Sequence, residues 1–170
     1  MKGRLLFKEE QSFVNTRLFY VILGMCLLSV VVAVFSVWRH HGASEAIAGL
    51  VISLVVVGGI TSFLVFSRLH TIIDEVAIYY RYPPFINAEK KLTRQDIRDC
   101  YVRKYRPIWE YGGWGYRIRP GKGRALNVSG NQGLQIVLSS GKGLLIGTNE
   151  PAKMKYAIKR LKENWEIENG

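Results

Sequence analysis

Two long runs without charge constrain this chain more than anything else in it. Leu18–Trp38, LFYVILGMCLLSVVVAVFSVW, holds 21 residues and no charged one. As a helix it reaches about 31 Å at ~1.5 Å per residue, which matches a bilayer core of about 30 Å. Ala46–Leu69, AIAGLVISLVVVGGITSFLVFSRL, holds 24 residues, and only Arg68, near its end, is charged. Helices buried in soluble proteins rarely stay uncharged for so long, so both runs read as membrane spans. The first exceeds the apolar core of a secretory leader, follows Glu9 and Glu10, and precedes a second span, so a cleaved leader is set aside. The reading divides the chain into an N-terminal segment (1–17), a transmembrane hairpin (18–69) and a second domain (70–170).

Only His40–Glu45, with Arg39, lie between the runs. So short a link predicts an antiparallel hairpin with both chain ends on one side. Lys2, Arg4, Lys8, Arg17, Arg68 and Arg81 flank the terminal side, while Arg39 stands alone in the link. The positive-inside bias then predicts that both termini face the cytoplasm, in a multi-pass cell-membrane protein. Tyr20 and Trp38 sit where interfacial anchors belong. Ser29, Ala33 and Ser36, and the pairs Gly49/Ser53 and Gly58/Ser62, have the spacing of helix-packing faces. No ionisable residue lies at either centre, so the spans read as an anchor rather than an ion or proton path.

The formal net charge is +11. Residues 1–69 carry six Lys/Arg against three Asp/Glu, +3; residues 70–170 carry 18 against 10, +8. A basic second domain predicts an acidic partner. Cys26 and Cys100 fall in different halves and read as two free thiols.

After Leu69 the hydrophobic period changes to two. Val76, Ile78, Tyr80 and Tyr82 alternate with Ala77, Tyr79 and Arg81, as in a strand with one buried face. Strands are predicted at Lys91–Gln95, Asp96–Arg106, Trp114–Arg119, Arg124–Ser129, Gly133–Ser139 and Leu144–Thr148. From Pro151 the period is helical: Met154, Ile158, Leu161 and Trp165 form an apolar stripe, and lysines and Arg160 take the other faces. About seven strands and a closing amphipathic helix suit an antiparallel barrel or paired sheets.

The segments YYRYPPF (Tyr79–Phe85), EYGGWGYR (Glu110–Arg117) and NVSGNQGLQIVLSSGKGLLIGT (Asn127–Thr148) resemble bacterial membrane proteins with a two-span hairpin and a C-terminal bacterial pleckstrin-homology (PH)-like domain. The resemblance covers most of the chain. It implies an α+β class: a transmembrane hairpin, then a PH-like antiparallel β domain of about seven strands with a C-terminal amphipathic helix. It implies no catalytic residues. RIRPGKGRAL (Arg117–Leu126) has no counterpart in the shared pattern.

The stretch Glu110–Gly133 is rich in glycine and in Lys/Arg, and invites a phosphate-loop reading. It contains neither GxGxxG nor GxxxxGK[ST], and strand signals lie on both sides. GKG occurs twice, at Gly121–Gly123 and Gly141–Gly143, each time between predicted strands, so both read as hairpin turns. His40, His41 and His70 have no metal spacing, and no nucleophile motif or cofactor fingerprint is present. Asp96, Asp99 and Glu110 could act as a carboxylate set only if the fold paired them. Asn127-Val128-Ser129 is formally a glycosylation sequon, but its strand-like, cytoplasmic context argues against modification.

The residues that remain are Arg103, Lys104, Arg106, Trp109, Trp114, Arg117, Arg119, Lys122 and Arg124, a basic and aromatic set that reads either as core aromatics with a solvated basic face or as a contact surface. The expected reading is a non-enzymatic binding or scaffold module that meets anionic lipid head groups or a protein partner, with nucleic acid set aside. The alternatives are a small enzyme acting on lipid head groups, with a Gly-rich rim carrying Arg117, Arg119, Lys122 and Arg124, and an accessory subunit joined through its small-residue helix faces.

Overall fold

The computed structural model describes residues 3–41 and 43–167, so Lys2 and the middle of the predicted link, at residue 42, lie outside the described residues. The chain divides into two compact units. One is Ser12–Ser67; the other joins Met1–Gln11 to Arg68–Gly170.

The first unit contains two helices, α1 (Arg17–His41) and α2 (Ala43–Phe66), which pack against each other. Both are long and apolar enough to cross a membrane. Outside their mutual contact they expose apolar side chains: Met25, Leu28, Val31, Ile52 and Val55 all stand free. Phe19, Ile22, Cys26, Val30, Val34 and Val37 of α1 are the less exposed positions, a spacing of three to four that marks the packed stripe. Gly49, Ser53, Val57 and Thr61 form the matching stripe of α2. The small-residue reading is therefore split. Gly49 and Ser53 lie on the packed face, whereas Gly58, Ser62, Ser29, Ala33 and Ser36 lie on exposed faces.

The second apolar helix ends earlier than the predicted Leu69. Ser67 donates its hydroxyl to the Phe63 carbonyl at 2.8 Å and its N–H to the same oxygen at 3.1 Å, closing the last turn. Arg68 then opens β2 (Arg68–Asp74), and Leu69 is fully buried in the β domain. An apolar residue of the sheet core directly follows the helix, which is why hydropathy alone carries the span too far.

The β domain also takes in part of residues 1–17. β1 (Leu5–Ser12) turns Phe7, Glu9 and Gln11 inward and Lys8 and Glu10 outward. It forms one sheet with β2, β3 (Ala77–Tyr82) and β4 (Ile86–Thr93), in the order β1-β2-β3-β4. Arg4 meets Glu75 and Glu10 meets Arg68, so β1 and β2 run antiparallel. The helical unit is thus inserted in the chain between two adjacent strands. β4 starts earlier than the predicted Lys91 and is exposed through Lys90 and Lys91, as suits an edge strand. β3 departs from the one-faced reading: Ala77 and Tyr79 are buried along with Ile78 and Tyr82, Tyr80 is half-buried, and Val76 precedes the strand and is exposed.

The second sheet has the order β5-β8-β9-β7-β6. Its strands are β5 (Ile97–Lys104), β6 (Gly115–Arg119), β7 (Gly123–Asn127), β8 (Gln132–Leu138) and β9 (Gly143–Gly147). The described residues therefore hold nine strands in two sheets, not seven. β7 and β9 pair in parallel, and the other pairs are antiparallel. A short helix, α3 (Pro107–Tyr111), lies between β5 and β6. Tyr105 and Tyr111 bury Ala125 and Leu145 on one face of this sheet.

Helix α4 (Pro151–Ile167) packs on β2, β5 and β8 and closes the core. Met154, Ile158, Leu161 and Trp165 are its buried stripe, with Ala157. Thr148 caps its start by accepting the Glu150 N–H at 3.0 Å.

Candidate functional site

Parallel pairing of β7 with β9 places Arg124 opposite Leu144. Both strands begin at the end of a GKG turn, so the two turns come side by side. Gly123 has φ +92°, and a Cβ there would run into the Gly143 carbonyl. A Cβ on Gly143 would in turn stand 2.6 Å from the Lys122 carbonyl oxygen. Side chains at these two positions would force the turns apart. The turns themselves are hairpin connections: Lys122 N–H donates to the Arg119 carbonyl at 3.1 Å, and Gly141 N–H to the Leu138 carbonyl at 2.8 Å.

A groove of about 480 Å³ opens at this junction. Arg124 and Lys142 supply its charge, Arg119 borders it from the end of β6, and Ile118, Leu138, Leu144 and the Tyr80 ring supply its apolar surface. No carboxylate lines it, and none of the three cations has an ion-pair partner among the described residues. Arg119 is steadied by a 2.8 Å hydrogen bond from Nη1 to the Trp109 carbonyl. Burial pushes the Tyr80 phenol above its usual range, while nearby Arg124 pulls it down. The concavity gathers positive charge from the start of β7 and the β8–β9 turn, while Arg119 turns toward α3.

Only part of the predicted basic and aromatic set lines the groove. Arg119 and Arg124 line the groove. Lys122, at the tip of its turn, lies outside that lining. Arg103 is half-buried and already engaged. It donates to Glu110 at 2.9 Å, to Gln135 at 3.1 Å and to Tyr111 at 3.4 Å. The hydrogen bond from Arg103 holds the Glu110 carboxyl below its usual range, with further help from the Arg106 N–H and the charge of Lys122. Lys104 and Arg106 are exposed. Trp114 is half-buried and donates its indole N–H to the Gly130 carbonyl at 3.0 Å, and Arg117 donates to the Trp114 carbonyl at 3.0 Å. Trp109 alone among these aromatics stands free, 78% exposed on α3.

Other sequence candidates separate as well. Asp96 accepts from Thr93, Asp99 pairs with Lys162 and Glu110 with Arg103, so the three carboxylates form no common site. Among the described residues no three His, Cys, Asp or Glu come together as a metal set. Asn127 of the sequon is fully buried. Its side chain accepts from Gly115 N–H and donates to the Tyr105 hydroxyl, both at 2.9 Å, while Tyr82 donates to its carbonyl at 3.2 Å.

Lys142 and Tyr80 belong to the groove and were missed in the sequence. The repeated GKG was the available signal for Lys142; nothing local pointed to Tyr80, which comes from the other sheet. No family model matches the chain, no curated protein matches it, and no solved structure matches it.

Proposed function

We propose that this chain is a membrane-anchored, non-enzymatic binding module, with a PH-like β domain that presents basic groups to an anionic lipid surface on the cytoplasmic side. The carrying observation is the interruption of a basic β domain, between adjacent strands, by two helices whose free sides are apolar. Apolar surface on that scale is costly in water and favourable in a bilayer. The strand order supports the PH-like reading. β1–β4 form one sheet in sequence order, and β5, β8 and β9 form an antiparallel run that leads into α4. α3 with the β6–β7 hairpin is then an insertion, and setting it aside leaves seven strands and a helix. That segment holds both Glu110–Arg117, which belongs to the family resemblance, and Arg117–Leu126, which has no counterpart in it. The groove lining has cations, one phenol and apolar side chains, with no carboxylate, imidazole or thiol for acid–base or nucleophilic work.

Two measurements test this. On alkaline carbonate extraction of membranes the chain should stay in the pellet, and release would remove the anchor. A soluble version, in which residues 13–67 are replaced by a short turn, should float with phosphatidylglycerol vesicles at low salt and detach at high salt. Absence of salt-sensitive flotation would sink the lipid contact and leave a protein partner as the module's target.

A further inference from the structure

We propose that the groove between the two GKG turns is a specific binding site for an amphiphile bearing a phosphate group, with the phosphate on Arg124 and Lys142 and the apolar part against Ile118 and Leu138. This rests on the reading of the β domain as a binding module and names what the module holds. Two cations come from separate hairpins: Arg124 shares a face with Ile118, directly opposite it in the β6–β7 pair, and Lys142 sits on the neighbouring turn. A phosphate monoester carries close to two negative charges and three free oxygens, so it can engage both cations, whereas a carboxylate carries one charge. No carboxylate lines the groove, so the mutual repulsion of the cations goes uncompensated until an anion enters. The Tyr80 hydroxyl has no hydrogen-bond partner among the described residues and provides a further donor at the wall.

The size and lining indicate the rest of the ligand. About 480 Å³ lies within the range of small-molecule pockets, roughly 300–1,000 Å³, and far exceeds a bare phosphate. Ile118 is 65% exposed beside this space, and covering it removes apolar surface from water. The shared chemistry, phosphate plus apolar group, fits either a bilayer phospholipid or a soluble phosphomonoester.

The full chain in phosphatidylcholine nanodiscs, corrected against empty nanodiscs, is titrated with hexyl phosphate, inorganic phosphate and hexyltrimethylammonium. Hexyl phosphate should bind at least tenfold more tightly than inorganic phosphate, and the cation should not bind. Arg124→Glu and Lys142→Glu, both at exposed hairpin positions, should each weaken hexyl phosphate at least tenfold, and Arg98→Glu, outside the groove, should leave it unchanged. Adding phosphatidic acid to the nanodisc lowers hexyl phosphate binding if the ligand comes from the bilayer; unchanged binding assigns it to solution. Binding that survives both groove substitutions, or no binding at all, overturns the site. Equal affinity for inorganic phosphate overturns its amphiphile character. Carbonate extraction reads membrane residence separately, so failure here leaves the anchor standing.

Discussion

Thr148 donates its hydroxyl to the Glu9 carboxylate at 2.6 Å, joining residues 139 positions apart. Asn149 N–H donates to the other carboxylate oxygen at 2.8 Å, and Gln11 donates to the Gly147 carbonyl at 2.7 Å. The strand before the helical hairpin is thereby fastened to the β9–α4 junction near the end of the chain.

Glu9→Ala should lower stability by about 1–3 kcal/mol, because buried donors at the junction lose their acceptor. Burial raises the Glu9 carboxyl above its ordinary value, against the lowering effect of Thr148 and Asn149. The folded chain therefore holds this proton more tightly than the unfolded chain. Its contribution to stability is greatest below the ordinary carboxyl value and declines as pH rises through the raised one. Glu9→Gln should remove that component. Chemical denaturation of both proteins across the acidic range checks this, and a parallel pH dependence in the two would exclude Glu9 as its source.

Replacing residues 13–67 by a short turn should yield a soluble, cooperatively folding domain, because β1 and β2 are adjacent and antiparallel. Residues 68–170 alone lack β1, and with it the acceptors at Glu9 and the cover over β2. That fragment should show poor amide dispersion in NMR spectra, while the joined version shows a folded spectrum. Equal folding of the two would mean that β1 is dispensable.

The paired turns should answer differently to alanine. Gly121 has φ +77° but open space around a Cβ, so Gly121→Ala should cost about 1–2 kcal/mol through backbone conformation alone. Gly123→Ala adds a collision with the Gly143 carbonyl, and should cost more than Gly121→Ala in thermal unfolding of the soluble version. The reverse order would contradict the contact between the turns.

Cys100 is fully buried, and burial pushes its thiol up to about 11. It should resist alkylation at neutral pH in the native protein and react once denaturant is added, as mass spectrometry of the modified chain would show. Rapid labelling under native conditions would indicate local opening at β5.

Much of the fold was legible because its signals are periodic and local. The uncharged runs, the Met154–Trp165 stripe and the GKG turns each carry their own evidence within a few residues. β1 was harder, since its inward face includes Glu9 and Gln11, and their burial is intelligible only beside Thr148 and Gly147. Leu69 was misplaced because an apolar residue cannot declare whether lipid or a sheet core will cover it. At the site, Arg119 and Arg124 were recognisable as basic groups on a turn. Arg103 looked the same in sequence, yet Glu110 and Gln135 occupy it.

Hydropathy, period and turn chemistry act over short distances, and they specify two apolar helices, a basic β-rich remainder and a closing amphipathic helix without reference to the rest of the fold. Long-range pairing places the helices within the β domain's chain, sets β7 parallel to β9, and brings Tyr80, Arg124 and Lys142 to one groove. Those outcomes depend on strand pairing between distant segments, and no local pattern encodes which strand edge a hairpin will join.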